Sequence, residues 1–392
     1  MASLSSSISF LLLLLLTTLK SKPISSSSET PAAALFIFGD SIVDAGTNNH
    51  IKSVANFKAD YPPYGRNGFF DGPNGRFSDG RVLADFIAEF ANLPAIPPFL
   101  QPSAKFINGA NFASGGAGIL SETNQGLVIN FETQIKQFEE LQKSLQEELG
   151  ETESKRLISQ AVYLISIGTN DYLHGYTFNP NMQETFSTEE YVGMVTGNLS
   201  QAIQDLYDRG ARKFCVLDLM PLGCMPTLRA LNPNAKNGSC FEEVSELAKA
   251  HNRALSAVLI IQQHISKGFK YAHSNFFEWM DKRIQFPSEY GFKDAVNACC
   301  GKGEFRGINS CGGRKKVVDY EECEVSSEYL WWDSVHVSEK VHEQLAMELW
   351  SGTPSLPGSD SFKGLLFNDF HELRVEDVVL DKQFDLGFTS AT

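Results

Sequence analysis

The residue types of an activated serine stand at two distant places in this chain. Ser41 ends the stretch "ALFIFGDS", where an apolar run stops at Gly39-Asp40-Ser41, and Asp333 and His336 stand three apart in "WWDSVH". A serine hydroxyl is a poor nucleophile until a base takes its proton. An imidazole does so, and a carboxylate on its other nitrogen fixes the tautomer and stabilises the imidazolium. Asp and His at this spacing, in a loop or in one helical turn, are close enough for the carboxylate to reach Nδ1. The tetrahedral intermediate of acyl transfer then needs donors aimed at its oxygen. Gly116 in "NFASGGAG" offers a backbone N–H and Asn170 in "GTND" a neutral side-chain amide, with the Ser41 N–H as a third donor.

Such groups work only if the fold brings them to one place. Short apolar runs at 35–38, 109–113, 162–167, 213–219 and 269–274 alternate with longer stretches of helical period, a pattern that predicts an α/β fold with a mainly parallel sheet covered by helices on both faces. Leu83, Phe86, Ile87 and Phe90 make one helical stripe. Phe131, Ile135, Phe138, Leu145 and Leu149 make a second, and Val192, Val195, Leu199, Ile203 and Leu206 a third that Gly210 should end. In open α/β sheets ligands bind beyond the carboxyl ends of the strands. The clusters at Ser41, Gly116 and Asn170 each follow a predicted strand, and Asp333 and His336 precede a terminal helix. Taken singly, "SGGAG" is a flexible turn and "GTND" an ordinary helix cap with Asn170 or Asp171 as N-cap; the ordered set carries the signal.

Two segments, 61–80 and 299–323, are rich in Gly with Pro or Cys and read as long connections outside the sheet. The first, through Tyr61 to Phe77, and the pair Trp331-Trp332 are candidates for an apolar acyl or alcohol pocket, or for buried core. After "LWSGTPSLPGSDS" the chain holds apolar residues without sustained period and many acids, which reads as an appended arm.

Composition excludes other classes. With 42% hydrophobic and 20% charged residues among 392, the chain can bury a full core. A net charge of -14 repels nucleic acid and anionic membrane surfaces, which need clustered Lys and Arg. The apolar run from Ile8 to Leu19 is too short to span a bilayer, which takes roughly 20 residues, and suits a secretory signal core; stable membrane insertion is not expected. Asn198-Leu199-Ser200 and Asn237-Gly238-Ser239 are glycosylation sequons. Of seven cysteines, Cys240, Cys299, Cys300, Cys311 and Cys323 lie in loop-like surroundings of the second half, whereas Cys215 in "KFCVLDL" reads as a buried free thiol. Disulfides are therefore expected, with Cys311 and Cys323 bridged to partners such as Cys299 or Cys300. No phosphate-binding loop, G-x-S-x-G elbow or metal-ligand histidine spacing is present in the sequence, so neither a metal nor a cofactor is expected.

Gly39-Asp40-Ser41-Ile42 with Asp44 and Gly46, "GANFASGGAG", "GTND" and Asp333-Ser334-Val335-His336 resemble blocks I, II, III and V of the GDSL esterase/lipases, or SGNH hydrolases, in their secreted plant branch. Ile42 stands where the name-giving Leu does, and Val337 where plant members usually have Pro. The resemblance implies a flavodoxin-like three-layer α/β/α sandwich, the SGNH hydrolase fold. It implies Ser41 as nucleophile, His336 as base, Asp333 as its orienting carboxylate, and Gly116 and Asn170 in the oxyanion hole. The expected organisation is a signal peptide at 1–28, a hydrolase domain at 29–353 and an extension of unknown role at 354–392. The expected activity is hydrolysis of a small-molecule or lipid ester through an acyl-enzyme, in a secreted protein. A non-catalytic secreted binder on the same fold and an acyltransferase using the same triad are the alternatives.

Overall fold

The computed structural model describes residues 34–232, 238–308, 311–312, 319–352 and 354–367. The predicted signal peptide, the sequon residue Asn237 and the chain beyond 367 lie outside them. The elements in order are β1 (Leu35–Gly39), α1 (Leu83–Phe90), β2 (Gly109–Asn111), α2 (Phe131–Leu149), α3 (Glu151–Gln160), β3 (Val162–Ser166), α4 (Pro180–Thr185), α5 (Thr188–Asp208), β4 (Lys213–Leu217), α6 (Pro226–Leu231), α7 (Glu242–Ile265), β5 (Lys270–Ser274), α8 (Phe276–Gln285), β6 (Asp294–Ala298), β7 (Cys300–Gly301), β8 (Glu321–Glu322), β9 (Tyr329–Trp331), α9 (Glu339–Ser351) and α10 (Phe362–Phe367).

Among the described residues, β1 to β5 form a parallel sheet in the order β2-β1-β3-β4-β5. All five predicted strands are present. β1, β3 and β4 are buried along their whole length, which is why they read as continuous apolar runs rather than alternating ones. Right-handed crossovers in this order place helices on both faces: α1 packs on α9 and α9 on α10, while α2 packs on α3 and α5, and α5 on α7. The chain is the α/β sandwich expected from the resemblance. Strand order reverses at β1, so the β1/β3 crevice is the topological switch point where such sheets bind ligands.

Local signals fix the helix limits. Ser187 Oγ accepts from the Glu190 N–H, and the Glu190 carboxylate accepts from the Ser187 N–H, a capping box that starts α5. The same helix ends at Gly210, whose N–H donates to Tyr207 O while Ala211 N–H donates to Leu206 O, satisfying two orphan carbonyls.

The stretch after 353, read from sequence as an appended arm, behaves differently as far as Phe367. The segment leading into α10 lies along β5, with Asp360 N–H donating to Tyr271 O at 2.8 Å and Tyr271 Oη to Pro357 O at 3.0 Å. Ser355 Oγ donates to His273 O at 2.7 Å and lies 3.0 Å from His273 Nδ1, whose Nε2 meets Asp218 at 2.8 Å. Phe362, Leu365 and Leu366 of α10 are buried in the main core, each worth about 1.5–3 kcal/mol by burial. Three apolar positions in so short a helix leave no period to recognise.

A second, smaller core lies apart from the sheet. Tyr61, Tyr64 and Phe77 from the first long connection pack on Trp332 and on two disulfides, Cys299–Cys323 and Cys300–Cys311. A third bridge joins Cys224 to Cys240, and Cys215 is a buried free thiol whose pKa burial raises. Trp331 belongs to the main core and Trp332 to the small one; both are fully buried and neither lines the cleft described below.

Candidate active site

β1 ends where its backbone runs closest to β3. A Cβ on Gly39, at φ +143°, would stand 2.0 Å from Ser166 O, so only glycine fits. The Gln134 side chain from α2 closes the strand end, accepting from Gly39 N–H and donating to Gly39 O, both at 2.8 Å. These two hydrogen bonds to a buried amide satisfy the Gly39 backbone beyond the end of the β1–β2 register. Asp40 follows, buried, its Oδ1 accepting from Ile42 N–H at 3.1 Å. Burial pushes Asp40 up to about 7, countered in part by that N–H and by the His336 charge. Ser41 between them faces the cleft.

Its hydroxyl meets a ring from the far end of the chain. Ser41 Oγ lies 2.9 Å from His336 Nε2, and His336 Nδ1 lies 2.8 and 2.9 Å from the two oxygens of Asp333. Asp333 is fully buried and also accepts from Val335 N–H at 2.9 Å, His336 N–H at 2.7 Å and Tyr64 Oη at 2.6 Å. Burial alone would raise this carboxyl, but the His336 charge, the ring hydrogen bond, Tyr64 and the Val335 N–H together hold it below the usual carboxylate range. Burial and the Asp333 charge raise the Tyr64 phenol well above its ordinary value, so Tyr64 stays a neutral donor. With Nδ1–H given to the carboxylate, Nε2 is the ring's acceptor and faces the serine hydroxyl. Phe77 packs on the imidazole with centroids 4.8 Å apart.

The glycine loop after β2 is held from both sides by buried carboxylates. Asp44 accepts from Gly46 and Thr47 N–H through Oδ1 and from Gly115 N–H, at 2.8 Å, through Oδ2. Asp171 accepts from Ile119 N–H, Leu120 N–H and Thr123 Oγ1 at 2.8, 3.0 and 2.7 Å. Burial pushes each up to about 6, the donors opposing it, so both accept as anions at neutral pH. Gly115 thus spends its N–H on Asp44. The N–H of Gly116 has no partner among the described residues, nor has that of Ser41. Gly116 adopts φ +87°, and a Cβ there would strike the Phe57 ring at 2.4 Å. Asn170 follows β3 and gives no side-chain cap to the π-helical turn at Asp171–Thr177, which sets aside the capping alternative for it. Its Nδ2 donates one hydrogen to Ala117 O at 2.9 Å, leaving the other for the cleft.

Asp40, Ser41, Tyr64, Gly116, Asn170 and His336 all line one cavity of about 340 Å³, with Leu173, Met220, Met225 and Val335 as its apolar wall. The five residues singled out in the sequence are therefore brought together, Asp333 from behind the ring. The cleft holds a hydroxyl on an imidazole acceptor and a buried carboxylate behind it, and is lined by Ser41 and Gly116, whose N–H groups are unpartnered among the described residues, and by the Asn170 amide. The profile of the family described as GDSL-like Lipase/Acylhydrolase matches residues 35–349. The chain belongs to that family. Among similar GDSL proteins, GDSL esterase/lipase 5 of Arabidopsis thaliana is 45% identical over 89% of this chain and 91% of its own length. GDSL esterase/lipase 1 of the same plant is 44% identical over 86% and 90%, and a GDSL lipase of Tanacetum cinerariifolium 40% identical over 88% and 91%.

Within this GDSL chain, sequence reasoning missed Tyr64. The Pro/Gly/aromatic loop was a pocket candidate, and Tyr64 and Phe77 do line the cleft, but nothing in the spacing ties position 64 to Asp333. Asn124 and His174 were also missed; they border the cleft and meet each other at 2.9 Å. The sequon residue Asn198 is exposed on α5, its Nδ2 donating to Met194 O.

Proposed function

We propose that the cleft hydrolyses carboxylic esters through an acyl-enzyme on Ser41. The hydrogen-bonded chain from Ser41 Oγ through His336 to Asp333 carries this reading. Ser41 Oγ attacks the carbonyl carbon as its proton passes to His336 Nε2, and Asp333 stabilises the imidazolium. The carbonyl π pair moves onto oxygen, which takes hydrogen bonds from the N–H groups of Ser41 and Gly116 and from Asn170 Nδ2. When the intermediate collapses, the C–O bond to the alcohol breaks and His336 returns the proton to the leaving oxygen. Water, deprotonated by the same nitrogen, then releases the acid. Tyr64 positions Asp333 through its hydroxyl.

The substrate class is a neutral ester, small or lipidic; the net charge of -14 disfavours polyanions. Three disulfides support passage through an oxidising secretory route. No helix among the described residues is long and apolar enough to cross a membrane.

Ser41→Ala tests the mechanism directly. Turnover of p-nitrophenyl acetate should fall by at least about 10³-fold, with the melting temperature nearly unchanged because Ser41 is only part-buried. Turnover retained near the parent level would overturn it.

A further inference from the structure

A second cavity of about 470 Å³ adjoins the catalytic cleft, the two sharing Asn124 and His174. Leu120, Met182, Phe186, Tyr191 and Met194 form its apolar lining. Of these, Leu120, Met182, Phe186 and Met194 are half-buried, packed on the main core by one side and facing the cavity with the other. Its walls are built from Leu120–Asn124 of the loop after β2 and from the chain that follows Asn170, namely the turn Asp171–Thr177, the α4 segment and the first half of α5. Unfinished apolar contacts in a space of this size are what a ligand completes.

The proposed reaction says which part of the ester must go there. His336 has to return its proton to the leaving alcohol, so the alcohol oxygen lies on the His336 side of the carbonyl carbon. His336 precedes α9 and so enters from the α1/α9 layer. Gly116 and Asn170 lead into α2 and α5 on the opposite face. The acyl carbon is the remaining substituent, and the cleft wall left for it includes Asn124 and His174. There Asn124 Nδ2 donates to Gly116 O at 2.7 Å and to His174 Nδ1 at 2.9 Å, and the Phe57 ring meets His174 edge-on. This pair forms the sill between the two cavities.

We propose that the second cavity is the acyl-chain site, and that the enzyme takes esters of apolar carboxylic acids whose chains are long enough to cross the Asn124–His174 sill. The inference rests on the ester-hydrolase reading. Methionine side chains suit a site that moulds to a flexible chain, and each methylene removed from water there adds about fourfold to binding.

The test is a panel of p-nitrophenyl esters from acetyl to dodecanoyl, beside acetate esters of alcohols of matching lengths. Met182→Trp and Met194→Trp, each filling the cavity from a different helix, are compared with the parent. In both variants kcat/KM for acetyl esters should stay within about twofold, while that for octanoyl and longer chains falls by at least about tenfold; Phe186→Ala should move the optimum to longer chains. An unchanged length profile in both tryptophan variants overturns the acyl site. So does an equal loss at every length, or a loss that follows alcohol length instead. These outcomes leave acetyl turnover by the parent protein standing, whereas its absence defeats the hydrolase reading itself.

Discussion

Two Ser, His and Asp constellations are found among the described residues, both at the carboxyl edge of the sheet, and only one leaves a ring nitrogen facing its serine. In the first, Asp333 accepts a hydrogen bond from His336 Nδ1–H and leaves Nε2 facing the Ser41 hydroxyl. In the second, Asp218 lies on Nε2 of His273 and Ser355 on Nδ1, but the Ser355 hydroxyl already donates to the His273 carbonyl. Nδ1 must then be the donor to that oxygen, and with Nε2 bonded to Asp218 no ring nitrogen is left to take the serine's proton. The carboxylates differ too. The His336 charge, the ring hydrogen bond, Tyr64 and the Val335 N–H keep Asp333 below the usual range, whereas burial raises Asp218 with only His273 opposing. The same three residue types thus make the proposed reaction centre in one place and a clamp on the chain's last described segment in another. What separates them is the direction in which one hydroxyl donates.

That contrast has a graded set of tests below the Ser41→Ala experiment. Asn170→Ala removes an oxyanion donor that the second constellation was never matched with, and should lower kcat by about 10²–10³-fold with a smaller change in KM; a loss under about fivefold would strike Asn170 from the hole. Tyr64→Phe removes one donor from Asp333 and nothing from the cleft's shape. The carboxyl then moves up toward its ordinary value, so its proton is lost only at higher pH. We expect kcat to drop about tenfold while KM holds within about twofold. An unchanged kcat would leave Tyr64 as packing alone. Ser355→Ala should have the smallest effect, with turnover unchanged and a cost of about 0.5–1.5 kcal/mol, read by denaturant unfolding, from the lost bond to His273 O. A turnover defect there as large as that of Tyr64→Phe would mean the two constellations are not as different as their hydrogen bonds say.

The sheet and the five catalytic candidates were legible because each leaves a local mark. A doubly covered strand is apolar throughout, and the small residues that let β1 approach β3 stand next to the serine they expose. Tyr64 leaves no such mark: its loop has no period, and it meets Asp333 across a sequence separation of 269. The small core of Tyr61, Tyr64, Phe77 and Trp332 was read only in part, since its aromatics come from two loops that the disulfides gather. α7, long as it is, went unread because its buried positions include Ser245, His251, Asn252 and Gln262, polar residues that blur an apolar stripe. The clamp at Ser355 was invisible for the opposite reason, since its Asp, His and Ser have no shared motif at all.

Ser41 and His336 are 295 residues apart, and that separation is also an interval of time. On a ribosome adding about 5–20 residues per second, the nucleophile is made roughly 15–60 s before its base. For that interval the proposed nucleophile exists without its base. The hydrogen-bonded chain that the proposed ester chemistry needs is complete only once the loop bearing Asp333 and His336 has been made, after every strand of the five-stranded sheet.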